Sequence, residues 1–85
     1  MSFKLSIISP SGKLFEDTVD SIAVPGIEGA FEVYSGHEPL IASLKSGRAR
    51  VRQADHETAY AITSAVLEVD SKHNVTLLAD EATVV

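Results

Sequence analysis

This sequence predicts an all-β fold, an antiparallel β-sandwich of short strands forming a single domain, and three observations predict it. Apolar residues recur with period two and not with the 3.6-residue period of a helix. Turn signals built from Gly, Pro, Ser and Asn interrupt the chain roughly every 8–12 residues, the spacing of sandwiches and barrels. The 85 residues are 45% hydrophobic and 22% charged. That suffices for one small core with a wet surface, and the chain is too short for two cores.

The elements follow in order. Phe3, Leu5 and Ile7 alternate with Lys4 and Ser6, a half-buried first strand. Ser9-Pro10-Ser11-Gly12 turns, because Pro fixes φ and Gly frees it. Lys13 to Val19 resumes the pattern with Leu14 and Phe15 apolar. Ser21-Ile22-Ala23-Val24 stops at Pro25-Gly26. Gly29 to Val33 alternates again and stops at Ser35-Gly36. Leu40 to Leu44 is closed by Lys45-Ser46-Gly47. Ala49 and Val51 alternate with Arg48, Arg50 and Arg52. Ala59 to Thr63 follows the polar turn Ala54-Asp55-His56-Glu57. Ala65, Leu67 and Val69 alternate with Val66, Glu68 and Asp70. Ser71-Lys72-His73-Asn74 turns, and Val75, Leu77 and Ala79 close the pattern. The count is roughly nine strands. Asp80 to Val85 is too short, and too β-branched at its end, for a stable helix. No repeat, linker or low-complexity segment divides the chain.

Composition excludes several functions. There is no cysteine, so disulfides, thiolate nucleophiles and thiolate metal sites are all ruled out. A secreted domain of this size usually carries disulfides, so a reducing compartment is expected, with partners supplying part of the stability. The formal net charge is −5, a poor start for binding polyphosphate backbones. The five aromatics (Phe3, Phe15, Phe31, Tyr34, Tyr60) form no stacking platform. No apolar run approaches the roughly 20 residues of a membrane span, and neither a secretory signal nor a transit segment is expected.

Two loops and one strand are candidate sites. Val24-Pro25-Gly26-Ile27-Glu28-Gly29-Ala30-Phe31 packs a proline and two glycines into a tight strand connection. A phosphate-loop reading fails, because no Lys-Ser or Lys-Thr and no helix follow the glycines. In Gly36-His37-Glu38-Pro39-Leu40, Pro39 forces Glu38 out of helical space, so the loop displays His37 and Glu38. Such a pair could exchange protons, but no nucleophile stands at a supporting interval, and a solvated loop or partner contact is the plainer reading. His37, His56 and His73 are too scattered to read as a metal set. Arg48, Arg50 and Arg52 share one face of one strand. They either keep that strand soluble and unpaired or meet an acidic patch on a partner.

The ordered set Val24-Pro25-Gly26-x-Glu28-Gly29-x-Phe31-x-Val33, Gly36-His37-x-Pro39-Leu40 and Leu44-Lys45-x-Gly47 resembles the epsilon subunit of F-type ATP synthase. Leu67-Glu68-Val69 and Asn74-Val75-Thr76-Leu77-Leu78-Ala79-Asp80-Glu81-Ala82 extend the resemblance over nearly the whole chain. The resemblance implies that residues 1–85 are the N-terminal β-sandwich, of about ten strands in two sheets. It implies a non-catalytic rotor subunit of the central stalk, without cofactor or metal, that couples proton or sodium flow to ATP synthesis. Its partners would be the gamma subunit and the c-ring, and indirectly the alpha/beta hexamer, with no nucleic acid and no direct insertion into a membrane. The location implied is the cytoplasmic face of a bacterial plasma membrane, or the stromal face of a thylakoid for an organelle-encoded chain. Glu28, Gly29, Ala30, Phe31 and Glu32 would face the ring, and Ser9, His37, Leu40 and Ala42 would face gamma.

The sequence also departs from the family pattern. Relatives continue into an inhibitory helical hairpin, and a form without that brake is expected here. Ala30 stands where an acidic residue is common, and Glu32 is expected on the opposite face. Ser64-Ala65 replaces a common Gly-Gly, and Ser35 replaces a proline. The alternative function is a free-standing sandwich that binds an anionic ligand through Arg48, Arg50 and Arg52. A small hydrolase using His37 and Glu38 is a third, which lacks a nucleophile.

Overall fold

The computed structural model describes all 85 residues, Met1–Val85, and its regular structure is entirely strand. The strands are β1 (Phe3–Ser9), β2 (Gly12–Val19), β3 (Ser21–Gly26), β4 (Gly29–Tyr34), β5 (Leu40–Leu44), β6 (Gly47–Gln53), β7 (His56–Val69) and β8 (Val75–Val84). No helix is long and apolar enough to cross a membrane.

Eight strands replace the ten expected. The two runs on either side of Ser64 are one strand, because Thr63-Ser64 kinks the backbone without ending its pairing. Ser64 has φ +29°. The ladder with β8 keeps one register across it, from Tyr60↔Val84 to Val69↔Val75, with only the Ser64–Asp80 pair left out. The terminal segment that looked too weak for a helix extends β8, paired along the start of β7.

The strands also form one continuous hydrogen-bonded sheet and not two separate ones. Its order is β2-β1-β8-β7-β5-β3-β4, with β6 lying between β3 and β7. β5 and β6 lie end to end along β7 in a single register, Leu44↔Ala65 followed by Gly47↔Ile62. The gap between them, Lys45-Ser46, stands opposite the Thr63-Ser64 kink. Across that line the inward face changes parity. Tyr60 and Ile62 point inward before it, Ala65, Leu67 and Val69 after it. On β8 the switch runs from Val75, Leu77 and Ala79 to half-buried Ala82. A strand whose buried set changes parity has passed to another layer, so the sheet folds over itself into the sandwich.

One ladder departs from antiparallel order: β1 and β8 pair in parallel, Leu5↔Val75 through Ile8↔Leu78. A parallel pair needs a long connection, and here strands β2 to β7 supply it.

The core follows directly from the period-two pattern. Eighteen buried apolar residues form one cluster, and Leu5, Ile7, Ile22, Leu67 and Leu77 are completely enclosed. Burial of each such side chain contributes about 1.5–3 kcal/mol. Phe15 and Tyr60 meet edge-to-face, ring centres 6.2 Å apart, where β2 crosses the layer containing β7. Edge strand β2 carries Lys13, Glu16 and Asp17, charges that discourage further pairing.

Candidate functional site

The β3–β4 connection is a hairpin closed by the Gly26↔Gly29 pair, with Ile27 and Glu28 at its tip. Gly29 takes φ +137°, which a side chain resists. The base of the hairpin is tied to β5. Ile27 N donates to Ser43 O at 3.0 Å, and Lys45 N donates to Pro25 O at 2.9 Å. Beyond that tie the hairpin and β5 diverge, and the sandwich opens at this end.

The opening is a groove of about 760 Å³ lined by Gly26, Ile27, Glu28, Gly29, Phe31, His37, Leu40, Ile41, Ala42 and Ser43. Its floor is the end of the core, since Phe31 and Leu40 pack against the buried cluster. Its rim is apolar and exposed: Ile27 is 62% accessible and Ile41 74%.

The loop carrying His37 is pinned from three sides. His37 N donates to Tyr34 O, and Ser35 Oγ donates to Ser2 O at 3.2 Å. His73 Nδ1 donates to His37 O at 3.0 Å. His73 projects from the β7–β8 turn, which Asp70 organises by accepting from the amides of Asn74 and Lys72. Those amides, Asn74 first, hold the Asp70 carboxyl below its ordinary pKa. The fold therefore brings His37 and His73 together, but through a ring-to-carbonyl bond and not a shared ligand. No group of three or more His, Cys, Asp or Glu is placed to hold a metal ion.

The two sets of candidate residues merge in this groove. Glu28, Gly29 and Phe31 face His37, Leu40 and Ala42 across it. Ala30 and Glu32 do not join them. Both point outward on β4, on the same face and not on opposite ones, because side chains two apart along a strand share a face. They line a separate depression with Ala23, Pro25, Arg48 and Arg50. Ser9 sits at the β1–β2 turn, in a third depression of about 430 Å³ beside Ile8, Pro10, Val66 and Leu78.

An apolar row missed in the sequence connects Ser9 with the groove. Val66, Leu78 and Ile8 are direct cross-strand neighbours on the outer face of β7, β8 and β1. Ile41 on β5 lies diagonally next to Val66. The signal was present in Ile7-Ile8, Leu40-Ile41, Val66-Leu67 and Leu77-Leu78. In a strand, two adjacent apolar residues cannot both face the core. Exposed apolar rows of this kind mark docking surfaces.

The fold and these surfaces define a disulfide-free β-sandwich that presents an open apolar groove and an adjoining apolar row. Residues 2–85 match the family described as ATP synthase, Delta/Epsilon chain, beta-sandwich domain. The chain belongs to that family. It is 41% identical over 81 residues to the ATP synthase epsilon chain of Aliarcobacter butzleri (strain RM4018), covering 95% of this chain and 64% of that one. It is 36% identical over 80 residues to the ATP synthase epsilon chain of Chlorobium limicola, covering 93% of this chain and 91% of that one. It is 41% identical over 85 residues to ATP synthase epsilon chain 1 of Thiobacillus denitrificans (strain ATCC 25259 / T1), covering 96% of this chain and 59% of that one. The chain thus spans about three fifths of two of these relatives and most of the third. A chain in the cryo-EM structure of Euglena gracilis mitochondrial ATP synthase, OSCP/F1/c-ring in rotational state 1, superposes with TM-score 0.91 at 22% identity, over 98% of this chain and 53% of that one. A chain in the cryo-EM structure of the central stalk and c-ring of Tetrahymena thermophila mitochondrial ATP synthase gives TM-score 0.85 at 9% identity, over 98% and 66%. At these identities the superpositions establish the fold.

Proposed function

We propose that this chain is the sandwich of a central-stalk rotor subunit of an F-type ATP synthase. It performs no chemistry and couples ion flow to ATP synthesis by holding the gamma subunit and the c-ring together, and through gamma it acts on the alpha/beta hexamer. Family membership supports this reading, and the observation that carries it is the groove, which presents exposed apolar side chains next to Glu28 and His37. The hairpin residues Glu28, Gly29, Ala30, Phe31 and Glu32 meet the ring. His37, Leu40, Ala42 and Ser9, with the Ile41–Val66–Leu78–Ile8 row between them, meet gamma. The apolar rim supplies burial and the charged groups fix register. A close-packed core resists compression, so load passes through the domain without being absorbed. The working location is the membrane-associated F1 sector, on the cytoplasmic side in a bacterium.

The test is capture of the chain by purified gamma and by c-ring. Ile27→Arg and Ile41→Arg place charges at exposed positions and leave the fold intact. We expect Ile41→Arg to weaken gamma capture and Ile27→Arg to weaken c-ring capture, each at least roughly tenfold. Unchanged capture by both variants refutes the interface. Added to a complex stripped of its own subunit, the sandwich should restore coupled synthesis, and failure to do so would count against the proposal.

A further inference from the structure

The outer face of the other layer, formed by β4, β3, β6 and the first half of β7, enters the reading above only at its β4 edge, through Ala30 and Glu32; its arginine strand β6 does not. The registers lay it out as two rows, Tyr34–Ser21–Arg52–Glu57 and Glu32–Ala23–Arg50–Ala59. Arg48 stands next along β6, opposite Ala61. Three of the chain's seven basic residues thus line one strand of a protein whose net charge is −5. Their neighbours Ala23, Ala59 and Ala61 are small, so the guanidiniums border a trough. The trough consists of two adjoining depressions of about 310 and 300 Å³ that share Ala23, Glu32 and Arg50. Ser21, the only buried polar residue of the protein, lies in its floor.

The arginines are largely unpaired. Only Arg50 has a carboxylate in reach, Glu57, with Nε and Oε2 3.7 Å apart. Glu32 lies on the same face of β4 as Tyr34 and pushes the pKa of its hydroxyl up. Arg48 and Arg52 have no ion-pair partner.

We infer that this trough docks an extended acidic segment of a partner protein, one bearing carboxylates at alternate positions. Arginines two apart on β6 stand about 6.6–6.8 Å from one another, the repeat of side chains along one face of any extended strand. A segment lying along β6 therefore offers each guanidinium a carboxylate in turn, and the planar fork pairs with it in two-point geometry. Glu57 on β7 and Glu32 on β4 flank the arginine strand on either side. They oppose a polyphosphate that spreads charge evenly over the face, whereas carboxylates aligned along β6 keep clear of them. The overall negative charge acts in the same direction. This site is separate from the groove, so its failure would leave the stalk reading untouched.

The test is fluorescence anisotropy of the 85-residue chain with the labelled heptapeptide Glu-Thr-Glu-Thr-Glu-Thr-Glu at low salt. Two further probes are a peptide with the same four glutamates in one block, and single-stranded oligothymidylate. We expect the alternating peptide to bind at least about threefold tighter than the block. Arg50→Gln/Arg52→Gln, exposed and checked for folding by circular dichroism, should weaken it roughly tenfold. Glu57→Gln, which frees Arg50, should tighten it about twofold, and raised salt should weaken it. No binding at millimolar protein, no effect of the double arginine variant, no preference for alternation, or tighter binding of oligothymidylate would each overturn the inference.

Discussion

Gly26→Ala tests how the groove is built. Gly26 is buried at the point where the β3–β4 hairpin closes and β3 meets β5, paired with both Gly29 and Leu44. A Cβ there would lie 2.6 Å from the Gly29 carbonyl oxygen, and 2.9 and 3.1 Å from Cε1 and Cδ1 of Phe31. The first contact is with backbone in a two-residue hairpin, so it cannot be relieved without opening the hairpin. Overpacking costs about 1–3 kcal/mol, and a rigid backbone neighbour puts this case at the upper end. Removing a glycine from the unfolded chain returns about 0.4–1 kcal/mol. The net loss is about 2 kcal/mol, a fall in Tm of roughly 8–16 °C for a domain of this size. Urea and thermal unfolding followed by far-UV circular dichroism measure it. Adding Phe31→Leu should recover only part of the loss, because the carbonyl contact stays. A Gly26→Ala protein within about 0.5 kcal/mol of wild type, or complete rescue by Phe31→Leu, would show that the hairpin is not closed as described.

Two further outcomes follow from other parts of the molecule. Ser64 holds φ +29°, a conformation that suits glycine, so Ser64→Gly should raise the urea midpoint by the equivalent of about 0.5–1 kcal/mol; a lower midpoint would mean that the kink is not strained. Lys13 and Lys4 grip Glu16, with Nζ to carboxylate distances of 2.6 and 2.7 Å, and hold its pKa at about 2. A depressed carboxylate pKa stabilises the fold above the unfolded-state value and is lost as pH falls through the folded value. Acid destabilisation from this group therefore falls between about pH 4.5 and 2. Lys13→Gln should raise the Glu16 midpoint in an NMR titration, and an ordinary midpoint in the wild type would rule out the pairing.

Much of the fold was legible in the residue pattern. Phe3, Leu5 and Ile7 on β1, and Ala49 and Val51 on β6, face the core as their alternation required. The turns at Pro10-Ser11, Ile27-Glu28 and Ser71-Asn74 fall where Pro, Gly and Asn placed them. The strand count was not legible, because a kink at Ser64 and a turn there look alike until the ladder with β8 is seen. The outer apolar row is hidden in the sequence for a related reason: Val66 alternates with core-facing Ala65 and Leu67 in the place of a polar residue, and each of the pairs Ile7-Ile8 and Leu77-Leu78 offers the core two candidates. Which member of such a pair faces out depends on the parity of the whole strand.

Taken alone, the order of residues determined that this chain makes strands, where it turns, which side chains the core takes, and which family it resembles. Those properties are set over a few neighbouring residues by backbone sterics and side-chain alternation. Only the folded molecule decided that β1 and β8 run parallel, that one sheet doubles over at Lys45-Ser46 and Thr63-Ser64, and that the hairpin and His37 loop share a groove from which Ala30 and Glu32 are excluded. Contacts between strands far apart in the chain depend on cross-strand register and on layer packing. Both are settled by burying the whole apolar set at once, and no local stretch of sequence contains that information.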